Sequence, residues 1–269
     1  MLAAPLWDAA LCQFVGILTV TDFIDVLRHF HQTKTPASSL ITRSIADILN
    51  DPHMPKPGKF LSADSSTSLK QACLLLHRNG LDFLPIIYPE DMRILETVTY
   101  TNMLEHLVTN FREQRRLFDD LLVELQIGTY HDELVTIKPQ QTLAVALQLL
   151  HEHNLSALPV VEDMPNGQRI LLGVYSRSDI TFLIIADDAQ RGLNNLDLTV
   201  GEILMHQEQQ RAQLTSPDAM HTCRKDQTLQ NVFEYFSRKK FNRLYVVDEG
   251  HCLVGVVSAR DLVAYFLEE

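Results

Sequence analysis

The chain of 269 residues is long enough for one large domain or two of ordinary size. Its composition, 46% hydrophobic and 21% charged with ten glycines, excludes collagen-like and wholly disordered chains. The formal net charge is −11. Because a negative field opposes contact with a phosphate backbone over a broad surface, we expect no nucleic-acid partner. Any anionic ligand must be held by a local cluster of donors.

The cysteines follow no metal-binding or disulfide pattern. Cys12, Cys73, Cys223 and Cys252 are scattered, without a Cys-x-x-Cys pair, which favours reduced thiols. Apolar runs such as 180–186 are shorter than the roughly 18 residues that a bilayer span needs. The N-terminus lacks the basic region and the apolar core of a secretory signal. We therefore expect a protein of the cytoplasm or nucleus without a membrane partner.

One sequence unit recurs four times along the chain. Each copy has two short apolar strands, followed by a Ser/Thr-x-x-Asp/Asn step into an amphipathic helix. The four steps are Thr19-Val20-Thr21-Asp22, Thr99-Tyr100-Thr101-Asn102, Ser176-Arg177-Ser178-Asp179 and Ser258-Ala259-Arg260-Asp261. Their last residues are 77 to 82 positions apart. This spacing exceeds the roughly 20 to 45 residues of solenoid units and indicates a small domain that is repeated.

A further helix precedes the last three strand pairs, and a Ser/Thr-Leu pair opens each of these helices. The pairs are Ser68-Leu69, Thr142-Leu143 and Thr228-Leu229. Short strands are predicted upstream, at Phe60-Leu61, from Leu134 to Ile137 and from Met220 to Cys223. The full unit is thus strand, helix, strand, strand, helix, an α/β (α+β) fold with a short sheet backed by two helices.

The first copy begins at its second strand, so the first repeat lacks its N-terminal half. We expect this to expose Leu6, Ile17 and Phe23 unless another element covers them. The predicted boundaries are 1–30 for partial repeat 1, 31–59 for a linker, 60–111 for repeat 2, 112–128 for a second linker, 129–190 for repeat 3 and 198–269 for repeat 4. Ser44 to Leu49 has a short helical pattern, and Thr199 with Glu202 fits a capping box.

Two interpretations of the Ser/Thr-x-x-Asp step are open. As a helix cap, the hydroxyl and the carboxylate together contribute roughly 1 to 2 kcal/mol. As a ligand site, a carboxylate accepts both hydroxyl hydrogens of a ribose diol, while hydroxyls and free backbone N–H groups suit phosphate. A nucleotide is the ligand that uses both sets of groups. Sequence spacing alone does not choose between the two interpretations.

The repeat resembles the CBS domain, named from cystathionine beta-synthase. More specifically, the chain resembles the gamma regulatory subunits of AMP-activated protein kinase and their fungal equivalents. The segments that carry the resemblance are Ala4 to Asp8, Leu18 to Ile24, Leu125 to Tyr130, Leu155 to Val161 and Asn194 to Asp197. The likeness covers nearly the whole chain and is weakest from 31 to 120.

The resemblance implies tandem CBS domains that form two Bateman modules in a flat pseudo-symmetric disc. It also implies a noncatalytic sensor of adenine nucleotides in a kinase complex with a catalytic alpha subunit and a beta scaffold subunit. The ligands would be AMP, ADP and ATP, with no cofactor, no metal and no catalytic residue.

The resemblance also implies nucleotide-binding residues. Asp22, Asp179 and Asp261 match the ribose carboxylates, whereas Asn102 replaces the fourth. One implied site comprises Ser176, Asp179, Asn242 and Arg243. A second comprises Thr129, Ser156, Ala157, Ser258, Arg260 and Asp261. A third, with Thr19, Thr21 and Asp22, is weakened, because Asp82-Phe83 and Thr101 stand where the family has basic residues. The sequence leaves open whether Arg260 attracts phosphate or fills the cleft.

Plainer alternatives remain. Arg243 fits a surface ion pair, and Ser156 fits a small residue that allows close packing. The histidine pairs His29/His31 and His151/His153 are two residues apart, which suits surface histidines better than metal ligands. For the whole chain, the main alternative is a scaffold subunit with degenerate nucleotide sites. A CBS-regulated enzyme is disfavoured, because four repeats and their linkers leave no residues for a catalytic barrel.

Overall fold

The computed structural model describes residues 3–34, 43–52, 60–110, 119–130, 134–180, 195–211, 220–239 and 241–268. These residues form two compact units. The first comprises 1–60, 135–162 and 172–214, and the second comprises 61–134, 163–171 and 215–269. Each unit thus combines alternate repeats, the first taking repeat 1 with most of repeat 3 and the second taking repeats 2 and 4. Pairing into Bateman modules and a disc stays a prediction.

The second unit contains two complete copies of the predicted strand, helix, strand, strand, helix order. Repeat 2 consists of β3 (Ala63–Asp64), α3 (Leu69–Arg78), β4 (Leu84–Ile87), β5 (Ile94–Val98) and α4 (Tyr100–Asn110). Repeat 4 consists of β9 (Thr222–Arg224), α7 (Leu229–Lys239), β10 (Arg243–Val247), β11 (Leu253–Ser258) and α8 (Ala259–Glu268). The mixed α/β fold expected from the sequence is confirmed in both.

The first unit contains the remaining repeats. Repeat 1 consists of β1 (Ala3–Asp8), β2 (Gln13–Thr19) and α1 (Val20–Thr33). Repeat 3 has α5 (Leu143–Glu152), β7 (Ala157–Asp163), β8 (Arg169–Ser176) and the 3₁₀ turn Arg177–Ile180. The other elements of the chain are α2 (Ile45–Leu49), β6 (Thr129–Tyr130), the 3₁₀ turn Asn195–Asp197 and α6 (Val200–Arg211).

Three upstream strands differ from their predicted positions. The first is Ala63–Asp64, not Phe60-Leu61, and it pairs in parallel with β4. The last is Thr222–Arg224, which begins two residues and ends one residue later than predicted, and it pairs in parallel with β10. Between 134 and 137, only Ile137 pairs, in an isolated parallel bridge with Val160. Such short strands are fixed by their partner strands more than by their own apolar residues, which explains the shifts.

Repeat 4 carries a four-stranded sheet in the order β6-β11-β10-β9. Strand β6, from the start of the predicted repeat 3, joins this sheet, with Thr129 opposite Val256 and Tyr130 opposite Gly255. The chain approaches β11 so closely just before β6 that only a glycine fits there. Gly128 has φ +109°, and a Cβ atom there would lie 2.5 Å from Val256 O.

Each unit has its own apolar core. Residues of α1, α5 and β7 fill the first core, and its members include Ile24, Phe30, Leu143, Leu147, Leu158 and Tyr175. Residues of α3, α4, α7 and α8 fill the second core, and its members include Leu76, Met103, Leu104, Phe233, Phe236 and Leu262. The apolar stripes that predicted sheet-facing helices therefore lie inside, as expected.

The open side of repeat 1 is only partly exposed. Leu6 and Ile17 are half-buried, while Phe23 and Trp7 keep 46% and 47% of their surface exposed. Phe14 contacts the Trp7 ring and stacks on Phe60 with centroids 4.8 Å apart.

Two of the three hydroxyl residues predicted to open helices with a Ser/Thr-Leu pair act as caps. Ser68 Oγ accepts from the Gln71 N–H and Thr228 Oγ1 accepts from the Asn231 N–H, both at 3.3 Å, whereas Thr142 makes no side-chain cap hydrogen bond. Ser44 caps α2, and the Thr199 N–H and hydroxyl both donate to Glu202 at 2.8 Å, completing the expected capping box. Among the helices of the described ranges, none has the length and apolar character of a membrane span.

Candidate functional site

The strand-to-helix step has the same hydrogen-bond geometry wherever it ends in aspartate. In repeat 4, the backbone N–H and the hydroxyl of Ser258 donate to Asp261 Oδ2 at 2.8 and 2.7 Å. Thr19 donates twice to Asp22 Oδ2, at 2.6 and 2.8 Å. Ser176 does the same to Asp179 Oδ2, at 2.7 and 2.9 Å. The bonds to the carboxylate are therefore present in all three copies, and in repeat 4 the Asp261 N–H also donates to Ser258 Oγ at 3.2 Å, which completes a capping box at α8. The helix predicted after Asp179 lies outside the described residues, beyond the 3₁₀ turn Arg177–Ile180.

Capping uses only one oxygen of each carboxylate. The other oxygen, Oδ1, of Asp22 and of Asp261 accepts no hydrogen bond from the described residues. Both side chains are half-buried. Because a carboxylate oxygen accepts hydroxyl hydrogens readily, this atom suits a ribose hydroxyl. The cap and the predicted ribose contact use different atoms, so the two interpretations of the step are compatible.

Repeat 2 separates the two roles. The N–H and the hydroxyl of Thr99 donate to Asn102 Oδ1 at 3.1 and 2.7 Å, so an amide oxygen caps this helix as a carboxylate does elsewhere. The second polar group of Asn102 is an NH₂, which donates and does not accept. The step of repeat 2 therefore keeps the cap and lacks the second acceptor for a ribose diol.

Several predicted residues meet at one end of the repeat 4 sheet. Arg243 is the register partner of Ser258, and the backbone N–H of Ala259 donates to Asn242 O at 3.0 Å. Arg243 is only 7% exposed, so the surface ion-pair interpretation is wrong. The predicted residues in the second unit are Thr129, Asn242, Arg243, Ser258, Arg260 and Asp261.

The first unit holds the rest: Thr19, Thr21, Asp22, Ser156, Ala157, Ser176 and Asp179. The Arg177 N–H donates to Ser156 O at 2.9 Å, which repeats the Ala259 and Asn242 arrangement of the second unit. The Ser156 side chain is exposed, so it does not serve close packing. The two implied sites built on Asp179 and on Asp261 each draw residues from both units, and these groupings stay predictions.

A buried phenol lies near the start of α8. Burial raises the pKa of Tyr100 to about 12; the positive charge of Arg260 opposes this shift, and the negative charges of Asp82 and Asp261 add to it. Tyr100 is 6% exposed, and its hydroxyl has no hydrogen-bond partner in the described part of the chain. Arg260 and Asp82 are themselves exposed. Arg260, a predicted phosphate ligand, thus acts on the same phenol as two carboxylates.

Sequence reasoning missed two contacts between repeats 1 and 3. Arg177 Nη1 donates to Thr21 Oγ1 at 2.7 Å, and His151 Nδ1 lies 2.7 Å from Asp25 Oδ1. In each contact the partners are more than 120 positions apart, so no local pattern could reveal it.

Two of the four histidines considered above, His31 and His151, lie beside carboxylates. His31 Nε2 lies 3.3 Å from Asp197 Oδ1, and His151 lies beside Asp25. Within the described ranges, no group of three or more His, Cys, Asp or Glu side chains is placed to hold a metal ion.

The chain is similar in sequence to gamma subunits of 5'-AMP-activated protein kinase. It is 30% identical over 266 residues to the human gamma-3 subunit, covering 97% of this chain and 51% of that protein. It is 27% identical over 279 residues to the gamma subunit of Dictyostelium discoideum, covering 99% of this chain and 46% of that one. The chain thus spans about half the length of these curated relatives. The resemblance inferred from the motifs is confirmed.

The comparison with solved structures supports the fold. Protein MJ1225 from Methanocaldococcus jannaschii matches with a TM-score of 0.74 at 15% identity, covering 98% of this chain and 88% of that one. The sequence profile of the CBS domain matches residues 46–109, 127–186 and 213–268. These three matches cover more than half of the chain and overlap three of the predicted repeats, so the chain belongs to the CBS-domain family.

Proposed function

We propose that this chain is a noncatalytic regulatory subunit of a heterotrimeric Ser/Thr protein kinase of the AMP-activated type, and that it senses adenine nucleotides. The observation that carries the proposal is the second carboxylate oxygen at Asp22 and at Asp261, which the cap leaves available. Similarity to kinase gamma subunits over 97% of the chain supports the kinase context.

In this proposal, AMP, ADP and ATP compete for the same clefts. The aspartate of each step accepts from the ribose, while Arg243 and neighbouring hydroxyls bind phosphate. Because the net charge of the chain is −11, the phosphates depend on such local donors, and a triphosphate needs more of them than a monophosphate. No cofactor takes part.

The partners would be a catalytic alpha subunit and a beta scaffold subunit, in the cytoplasm or nucleus. If a nucleotide binds the active kinase complex more tightly than the inactive one, its binding shifts the equilibrium towards the active complex. The size of the shift is the ratio of its affinities for the two states. Such coupling is typically about 1 to 3 kcal/mol.

Calorimetric titration of the chain with AMP, and then with ATP in the presence of AMP, tests the proposal. We expect AMP to bind, and ATP to weaken its apparent affinity. Arg243→Ala should weaken AMP binding while Arg238→Ala, an exposed arginine on α7 paired with Glu234, should not. A folded chain that binds none of the three nucleotides would refute the sensing function.

A scaffold subunit with degenerate sites is the second candidate. Two observations favour it: the Thr21 hydroxyl accepts a hydrogen bond from Arg177, and Asp82 adds a negative charge near Tyr100, on which Arg260 and Asp261 also act. Nucleotide that co-purifies with the chain distinguishes the two functions. A scaffold should carry none, whereas a sensor should release adenine nucleotide on denaturation.

A further inference from the structure

Thr21 makes a different contact from the equivalent hydroxyls of repeats 2 and 3. In those repeats, the hydroxyl of the third residue of the step bonds to that of the first. The pairs are Thr99 with Thr101, 2.8 Å apart, and Ser176 with Ser178, 2.7 Å apart. Thr21 Oγ1 instead accepts from Arg177 Nη1 at 2.7 Å. Repeat 1 is thus joined to the step of repeat 3.

Arg177 is held at several points within the first unit. Besides its bond to Thr21, its Nη2 lies 3.3 Å from Leu150 O and 3.3 Å from Asn154 Oδ1. Its backbone N–H donates to Ser156 O at 2.9 Å. The Thr21 bond is the shortest of the three side-chain bonds, and a charged donor makes it stronger than a neutral one.

This anchor lies at the start of the segment that carries Asp179. Arg177 opens the four-residue 3₁₀ turn Arg177–Ile180, and Asp179 is two residues further along. Asp179 is 6% exposed. A short 3₁₀ turn has poorer internal hydrogen bonds than an α-helix, so its position depends more on contacts from outside.

Repeat 4 provides an internal comparison. There the residue after the serine is Ala259, which keeps the backbone bond to Asn242 O but has no side chain to reach another repeat. The step continues directly into the ten-residue helix α8, whose own hydrogen bonds hold Asp261. The step of repeat 4 therefore keeps its bonds from Ser258 to the carboxylate without an arginine side chain that reaches another repeat.

We propose that Thr21 and Arg177 are positioning residues for the Asp179 carboxylate. From the sequence, Thr21 is assigned to a nucleotide site of repeat 1. In this proposal, its hydrogen bond to Arg177 instead helps to position Asp179 in the site of repeat 3. The inference rests on the proposed function, because its consequence is a change in nucleotide affinity.

Titration with AMP tests the inference. The measured quantity is the AMP affinity of the site that Asp179→Asn abolishes. It is compared between the parent, Thr21→Val, Arg177→Gln and the double variant. Each single change should lower the AMP affinity of this site about five- to tenfold, as expected for loss of one charge-assisted hydrogen bond. The double variant should be no weaker than the weaker single one, because both changes remove the same bond.

Two further variants separate positioning from general loss of structure. Thr21→Ser keeps the acceptor and should restore the parental affinity. Thr101→Val makes the same change at a step whose hydroxyl meets no arginine, and should leave the Asp179 step unchanged.

The outcomes are distinguishable. If the parent binds AMP and Thr21→Val binds it equally well, the positioning role is wrong and the proposed function stands. Additive losses in the double variant would also overturn the inference, because they would mean that Thr21 contacts the ligand independently of Arg177. If the parent binds no AMP, the proposed function and the inference both fail.

Discussion

His151 Nδ1 lies 2.7 Å from Asp25 Oδ1 and joins helix α5 of repeat 3 to helix α1 of repeat 1. Arg28 Nη1 approaches the same oxygen at 3.3 Å from the next turn of α1. The Asp25 side chain is only 10% exposed, whereas that of His151 is 41% exposed. A nearly buried carboxylate therefore depends on one donor from its own helix and one from another repeat.

Replacement of Asp25 by alanine should destabilise the first unit by roughly 2 to 4 kcal/mol, since it leaves the Arg28 guanidinium, 17% exposed, without its carboxylate. His151→Gln should cost less, because water can replace part of the histidine contact. Urea unfolding measures both changes. His153→Gln, at an exposed position just beyond the end of α5, is the matched control and should stay within about 0.5 kcal/mol of the parent. A free energy of unfolding for Asp25→Ala equal to that of the control would contradict the role of this pair.

Features within one repeat could be predicted from the sequence, whereas contacts between repeats could not. Spacing and residue type were enough to predict local features: the Thr199 capping box, the short helix that follows Ser44, the order of elements in repeats 2 and 4, and the aspartate bonds of the steps. The bonds of Arg177 to Thr21 and of His151 to Asp25 depend on how helices pack, which local patterns do not encode. Strand β6 is a further case, because its partner β11 lies in repeat 4.

Gly128→Ala should destabilise the second unit by more than about 2 kcal/mol. The residue has φ +109°, and a Cβ atom would lie 2.5 Å from Val256 O and 2.9 Å from a methyl group of Val257. The change therefore pushes β6 away from β11. Gly80→Ala is the control: its φ is +61° and no atom lies within 4 Å of the added Cβ, so only the left-handed backbone costs about 1 kcal/mol. If thermal unfolding shows the same loss of stability for Gly128→Ala and Gly80→Ala, then β6 tolerates displacement from β11.

The second unit should lose stability at alkaline pH through its buried thiols. Burial raises the pKa of Cys73 from 9.0 to about 11, so the folded chain keeps this proton while the unfolded chain releases it. The stabilising effect is complete below pH 9 and is lost as the pH rises towards 11. Burial likewise raises the pKa of Cys223, to about 12, which extends the loss to higher pH.

Unfolding free energies measured at pH 7, 9, 10 and 11 should therefore fall less steeply for Cys73→Ala than for the parent. Cys12→Ala removes an exposed thiol and should reproduce the parental slope. Identical slopes for Cys73→Ala and the parent would mean that the Cys73 thiol ionises equally well in both states of the chain.

Asp261→Asn should separate the cap from the ligand contact. Asn102 shows that an amide oxygen accepts both bonds from the residue that opens the step, at 3.1 and 2.7 Å. The variant should therefore keep the stability of α8 to within about 0.5 kcal/mol, whereas Asp261→Ala should lose about 1 kcal/mol of cap energy. In contrast, AMP affinity should fall in both variants, because neither retains the Oδ1 acceptor. If Asp261→Asn binds AMP as tightly as the parent, then the second carboxylate oxygen does not contact the ligand, and Asp261 serves only to begin its helix.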